Sequence, residues 1–175
     1  VQVKDCLFRC TDRGLRVKTR RGRGRDSVLS DISFQHIIME NVMTPFVVNS
    51  FYFCDPDGRT DYVQCREALP VDERTPEIKN LSFKDIKASD CHVAASFLCG
   101  LPEQKIRKIE LENVEISFAE QAREGVPAMM EGVEACSRQG FTVMNVDTLI
   151  CKNVTITGQK GDAFIMSNID YFEEV

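Results

Sequence analysis

At 175 residues with 43% apolar content, the chain is long enough to bury one sizeable core and too hydrophobic for a disordered segment, so one domain over residues 1–175 is expected. A formal net charge of -5 argues against a general nucleic-acid binder, whose basic face normally covers much of the surface. No apolar run is long enough to span a membrane and no leader pattern stands at Val1, so neither nucleic acid nor membrane is expected as a partner.

The first element, VQVKDC from Val1, alternates apolar and polar residues and ends on a small polar residue followed by an apolar one. The same pattern returns as ISFQHI at Ile32, LSFKDI at Leu81, IELENV at Ile109 and, more loosely, LICKNV at Leu149. Alternation of period two marks a strand. A second apolar run follows each copy: GLRVK at Gly14, PFVVN at Pro45, VAASF at Val93, PAMM at Pro127 and DAFIM at Asp162. Paired strands repeating in series predict an all-β parallel β-helix (solenoid) of about five coils, with long insertions at the turns. A β-sandwich also uses many short strands, but it does not need similar residues at matching points of each repeat.

The insertions are expected at Asn49–Pro76 and Ala119–Pro127, both rich in turn formers or charge. Phe118–Met130 has the length for a turn or two of helix, interrupted by Gly125 and Pro127.

In GLRVK, Leu15 and Val17 alternate with Arg16 and Lys18, which on a strand project side by side from one surface and can grip one anion together. A basic, flexible loop with Arg20, Arg21, Arg23 and Arg25 follows, concentrating six cations in a chain that holds 22 Lys plus Arg. The plainer alternatives are an exposed strand with two solvated charges and a solvated charge run. The eight cysteines show no Cys-x-x-Cys spacing, so no metal or cofactor is expected. Several take positions where the pattern otherwise has Val, Leu or Ile, which reads as reduced, buried thiols in a cytoplasmic setting.

The run CTDRGLRVKTRRGRGR, the coil VLSDISFQHIIMENV, then PFVVNSFY, PVDERTP and GLPEQKIRKIELENVEISF resemble the C-terminal half of glycoside hydrolase family 28. These are the polygalacturonases and related pectin-degrading enzymes, right-handed parallel β-helices. The resemblance covers essentially the whole chain. It implies that Arg16 and Lys18 match the family's Arg-x-Lys motif, which binds a galacturonate carboxylate, and that Tyr52 matches a tyrosine shaping the substrate cleft. It also implies an oligogalacturonide or pectin-like acidic saccharide as partner.

The family's Asn-Thr-Asp, Asp-Asp and Gly-His-Gly motifs do not occur here, which leaves no catalytic residue to assign in this chain. Asp12, Asp26, Asp55, Asp57, Asp61, Asp72 and Glu73 are acids without a rigid support, whereas a general acid needs its pKa raised by burial or neighbours. His36 and His92 lack flanking glycines and read as surface or edge histidines. The chain is therefore expected to be the C-terminal part of an inverting polygalacturonase-like hydrolase, inactive alone. The alternative is a non-catalytic solenoid that binds acidic polysaccharide. An uncovered first coil at Val1 predicts self-association.

Overall fold

The computed structural model describes residues 1–175. In chain order it contains β1 (Gln2–Arg9), β2 (Arg13–Lys18), β3 (Val28–Leu29), β4 (Ile32–Glu40), β5 (Thr44–Asn49) and α1 (Asp61–Gln64). Then follow β6 (Glu77–Ile78), β7 (Asn80–Cys91), β8 (Ala94–Cys99), β9 (Ile106–Phe118), β10 (Gln139–Thr157) and β11 (Lys160–Glu174). Apart from the short β3–β6 pair, all strands belong to one parallel sheet that winds into a solenoid.

The five repeat copies stack in the register their sequences imply. β1, β4, β7, β9 and the second half of β10 form the first wall, where Ile32, Leu81, Ile109 and Leu149 stand side by side. The column two residues on holds Phe34, Phe83, Leu111 and Cys151, with the Phe34 and Phe83 rings stacked at 5.2 Å. β2, β5, β8 and the first halves of β10 and β11 form the second wall, whose inward column includes Val17, Val48, Leu98 and Val143, while the second half of β11 continues the first wall beside β10. Identical positions thus share one core, and each coil buries its apolar residues only against its neighbours.

The small polar residue of each repeat has a conformational reason. Asp5, His36, Asp85, Asn113 and Asn153 all adopt left-handed backbone, with φ of 55°, 52°, 53°, 52° and 51°. That region costs most L-residues about 1–2 kcal/mol, and Asn and Asp tolerate it best. The side chains bond up the stack: Asn113 Nδ2 donates to Asp85 Oδ1 at 2.8 Å, and Asn153 Nδ2 to Asn113 Oδ1 at 3.0 Å. Exposed His36 lies between Asp5 and Asp85, at 3.3 and 3.5 Å, as a rung of the same ladder.

Two expectations need correction. PAMM is not a strand; the fourth second-wall strand is the start of β10, Gln139 to Met144, and the insertion runs on to residue 138. PAMM is apolar because Ala128 and Met130 pack against outward-facing Val47 and Phe97, with Phe51, Cys99 and Leu101, in a second apolar cluster outside the solenoid. In keeping with the interruption by Gly125 and Pro127, no helix forms in Phe118–Met130; the one helix, α1, lies in the other insertion. His92 is not a surface residue: it is buried, its Nδ1 accepts from the Arg123 backbone N–H at 3.2 Å, and its Nε2 meets Asn41 Oδ1 at 2.6 Å. That pattern fixes a neutral tautomer with the proton on Nε2. Burial, and then the Arg123 charge, push its pKa down.

All eight cysteines are free. Cys91, Cys99 and Cys151 are buried, as the reading of small hydrophobes requires, while Cys10 and Cys54 are exposed.

Candidate functional site: a cationic cleft on the outer face of the second wall

β2 follows its alternation. Leu15 and Val17 are buried in the core, and Arg16 and Lys18 point outward and are exposed. Gly14 lets the strand approach its neighbour, since a Cβ there would lie 2.5 Å from the Pro45 carbonyl oxygen. Register places Val47 and Phe97 beside Arg16 on the next coils, and there the outer face is covered by Ala128 and Met130. The cover stops at the first coil, where Met129 Sδ receives Arg16 Nη1 at 3.7 Å and Cys54 Sγ at 3.9 Å. Arg16 and Lys18 therefore remain open beside a covered surface.

The chain returns to Lys18 from the second coil. Buried Asn49 turns the backbone by accepting the Phe51 N–H at 2.8 Å, and Arg20 and Phe51 form an antiparallel bridge. The Tyr52 N–H then reaches the Thr19 carbonyl at 3.2 Å, which brings its side chain onto Lys18. Lys18 Nζ donates to the Tyr52 hydroxyl at 3.0 Å and lies 4.1 Å from the ring centroid. Two of the three expected binding residues are thus in direct contact. They line a cleft of ≈ 350 Å³ together with Thr19, Arg20, Arg23, Ser27, Leu29 and Asp55. Arg16 stands on the same strand face but contacts the covering loop instead of lining that cleft.

The arginine loop is neither uniformly flexible nor a solvated run. Arg20 is buried, forks onto Asp57 at 3.0 and 2.7 Å, and holds Asp55 at 2.9 Å. Arg21 is fully buried and paired with both carboxylate oxygens of Glu103, at 2.6 and 2.8 Å. It also donates to the backbone carbonyls of Tyr62, Val63, Cys65 and Glu67, which ties α1 and its flanks to the solenoid. Sequence reasoning missed this role because both partners lie far along the chain. Arg23 is exposed and holds Asp55 through one nitrogen.

Four of the candidate acids, Asp12, Asp55, Asp57 and Asp72, behave as counter-ions. The bond from Arg20, with Arg23 adding to it, holds the Asp55 carboxyl below the usual carboxylate range, and Arg74 does the same for Asp72. Asp12 pairs with Arg13 and Asp57 with Arg20. A carboxyl held low stays ionised and does not protonate a leaving group at neutral pH. What the cleft offers is recognition of an anion: an ammonium, a phenol and a guanidinium around an open space.

The fold is a parallel β-solenoid with an open cleft on one outer wall, lined by Lys18, Arg20, Arg23 and Tyr52 among others. The model of Glycosyl hydrolases family 28 matches residues 1–137, and the chain belongs to that family. It is 31% identical over 133 residues to a polygalacturonase of Prunus persica, covering 75% of this chain and 31% of that protein. An exopolygalacturonase of Arabidopsis thaliana is 29% identical over 140 residues, 78% of this chain and 27% of its own. A polygalacturonase of Medicago sativa is 27% identical over 118 residues, 67% of this chain and 26% of its own. The chain thus spans less than a third of the length of these relatives. No solved structure matches it significantly.

Proposed function

We propose that this chain carries the saccharide-binding part of a polygalacturonase-like hydrolase, in which Lys18 and Tyr52, with Arg16 beside them, receive a galacturonate carboxylate of a pectin-type substrate. The observation that carries the reading is the Lys18–Tyr52 contact at 3.0 Å in an open cationic cleft of a family 28 chain. The ammonium neutralises the carboxylate, and the phenol offers a face for a sugar ring and a hydroxyl for its edge. Cleavage by inversion needs an acid and a base carboxylate roughly 6.5–9.5 Å apart, one on each side of the glycosidic bond. The acids around this cleft are tied to arginines, so the reading assigns catalysis to residues beyond these 175. The relatives' greater length is in keeping with it.

The test is calorimetric titration of the 175-residue protein with oligogalacturonate and with a neutral galacto-oligosaccharide. Binding of the acidic ligand alone, weakened by Lys18→Ala, agrees with the reading; equal binding of both ligands, or of neither, contradicts it. A second reading, a solenoid that binds acidic polysaccharide without cleaving it, draws on the same neutralised acids. Reducing-sugar release by a protein of the relatives' full length containing these residues separates the two.

A further inference from the structure

We propose that the cleft is a two-carboxylate site, with Lys18 and Tyr52 seating one uronate and Arg23 seating the carboxylate of an adjoining one. The inference rests on the saccharide reading above and assigns to the arginine loop a partner of its own.

The loop's arginines differ in how far their donors are used. Arg20 has all three guanidinium nitrogens engaged, by Asp57, Asp55 and the Arg21 carbonyl, and Arg21 is enclosed by Glu103 and four carbonyls. Both are structural. Arg23 lines the cleft, is exposed, and spends one nitrogen on Asp55. A guanidinium has five N–H donors in a planar fork, so most of Arg23's remain to receive a second carboxylate. Lys18 has no carboxylate partner, its side-chain bond being to a phenol, so the cleft holds one unneutralised cation and one part-used cation. A single anion at Lys18 leaves Arg23 underused.

The backbone holds the seat in place. Gly22 and Gly24 adopt φ of 90° and 98°, and the N–H groups of Gly22 and Arg25 reach the carbonyls of Arg74 and Glu73 at 2.9 and 2.7 Å. Arg23 therefore projects from a loop pinned on both sides, with Ser27 on the same cleft wall. Asp55 sets the threshold. It competes for Arg23, and an incoming carboxylate must share the guanidinium with it, so the seat favours a ligand already anchored at Lys18.

The experiment compares dissociation constants of monogalacturonate and digalacturonate on the 175-residue protein, in the wild type and in Arg23→Gln, Asp55→Asn and Lys18→Ala. The wild type binds the disaccharide about tenfold tighter than the monosaccharide. Arg23→Gln brings that ratio close to one, and Asp55→Asn raises it, a gain that a disordered cleft does not produce. Lys18→Ala weakens both ligands. A wild-type ratio near one, or a ratio unchanged by Arg23→Gln, overturns the second seat while the first stands. Failure of the wild type to bind either ligand overturns the saccharide reading itself.

Discussion

Lys18 and Tyr52 are 34 residues apart in the chain, yet the ammonium of one donates to the phenol of the other at 3.0 Å. One lies at the end of a first-coil strand and the other just past the corresponding strand of the second coil, so the contact is a product of stacking register. Lys18→Ala is expected to leave stability within about 0.5 kcal/mol, because the side chain is exposed. It should cost about 1.5–3 kcal/mol of affinity for an acidic saccharide, the worth of a charge-assisted bond. Tyr52→Phe keeps the ring and should cost about 1 kcal/mol. Calorimetry on the folded variants measures both.

Arg21 and Glu103 form a buried pair, with side chains only 1% and 4% exposed. Arg21→Met strands the Glu103 carboxylate and the carbonyls around it, and should destabilise the protein by about 3–5 kcal/mol in urea unfolding. Adding Glu103→Leu should recover much of that loss, because the penalty comes from an uncompensated charge.

His92 predicts an acid limb. Burial and Arg123 lower its pKa, with Asp90 opposing them, so the unfolded chain takes up the proton first as pH falls. The stability held by neutral His92 is complete above its unfolded pKa of about 6.5 and drains as pH drops from there toward the depressed folded value. Denaturation midpoints between pH 7 and 5 should fall in the wild type and fall less in His92→Gln.

The thiols should react in two classes. Burial pushes Cys91, Cys99 and Cys151 up to about 12, so they stay protonated and shielded, while Cys54 and Cys10 are exposed. Alkylation of the native protein should label Cys54 and Cys10 first and the three buried thiols only on unfolding. Cys54 Sγ lies 3.9 Å from Met129 Sδ, which touches Arg16, so oligogalacturonate should slow labelling at Cys54 more than at Cys10.

What the sequence displayed was the part of the fold that repeats. Ile32, Leu81, Ile109 and Leu149 stack where the pattern aligned them, because each coil solves the same packing problem against the next. PAMM misled because an apolar run looks the same whether it enters the core or covers an outer wall. A signal for the true strand was present: GFTVM at Gly140 repeats the glycine and alternation of GLRVK at Gly14, and both glycines sit where a Cβ would meet a neighbouring backbone oxygen. The arginine loop was not legible, since burial of Arg20 and Arg21 depends on Asp57 and Glu103, 37 and 82 residues away with no shared period. Arg16, Lys18 and Tyr52 are legible as residues, whereas the contact that draws Arg16 to Met129 comes from the insertion that ends at residue 138, far along the chain.

The central claim is where the ligand sits, and an amide and side-chain NMR titration of the 175-residue protein with oligogalacturonate tests it most directly. The account predicts that the largest shifts fall on Lys18, Tyr52 and Arg23, with smaller ones at Arg16 and none on the first-wall ladder of Asp85, Asn113 and Asn153. Shifts centred on that ladder or on β11, with Lys18 and Tyr52 unmoved, would contradict it.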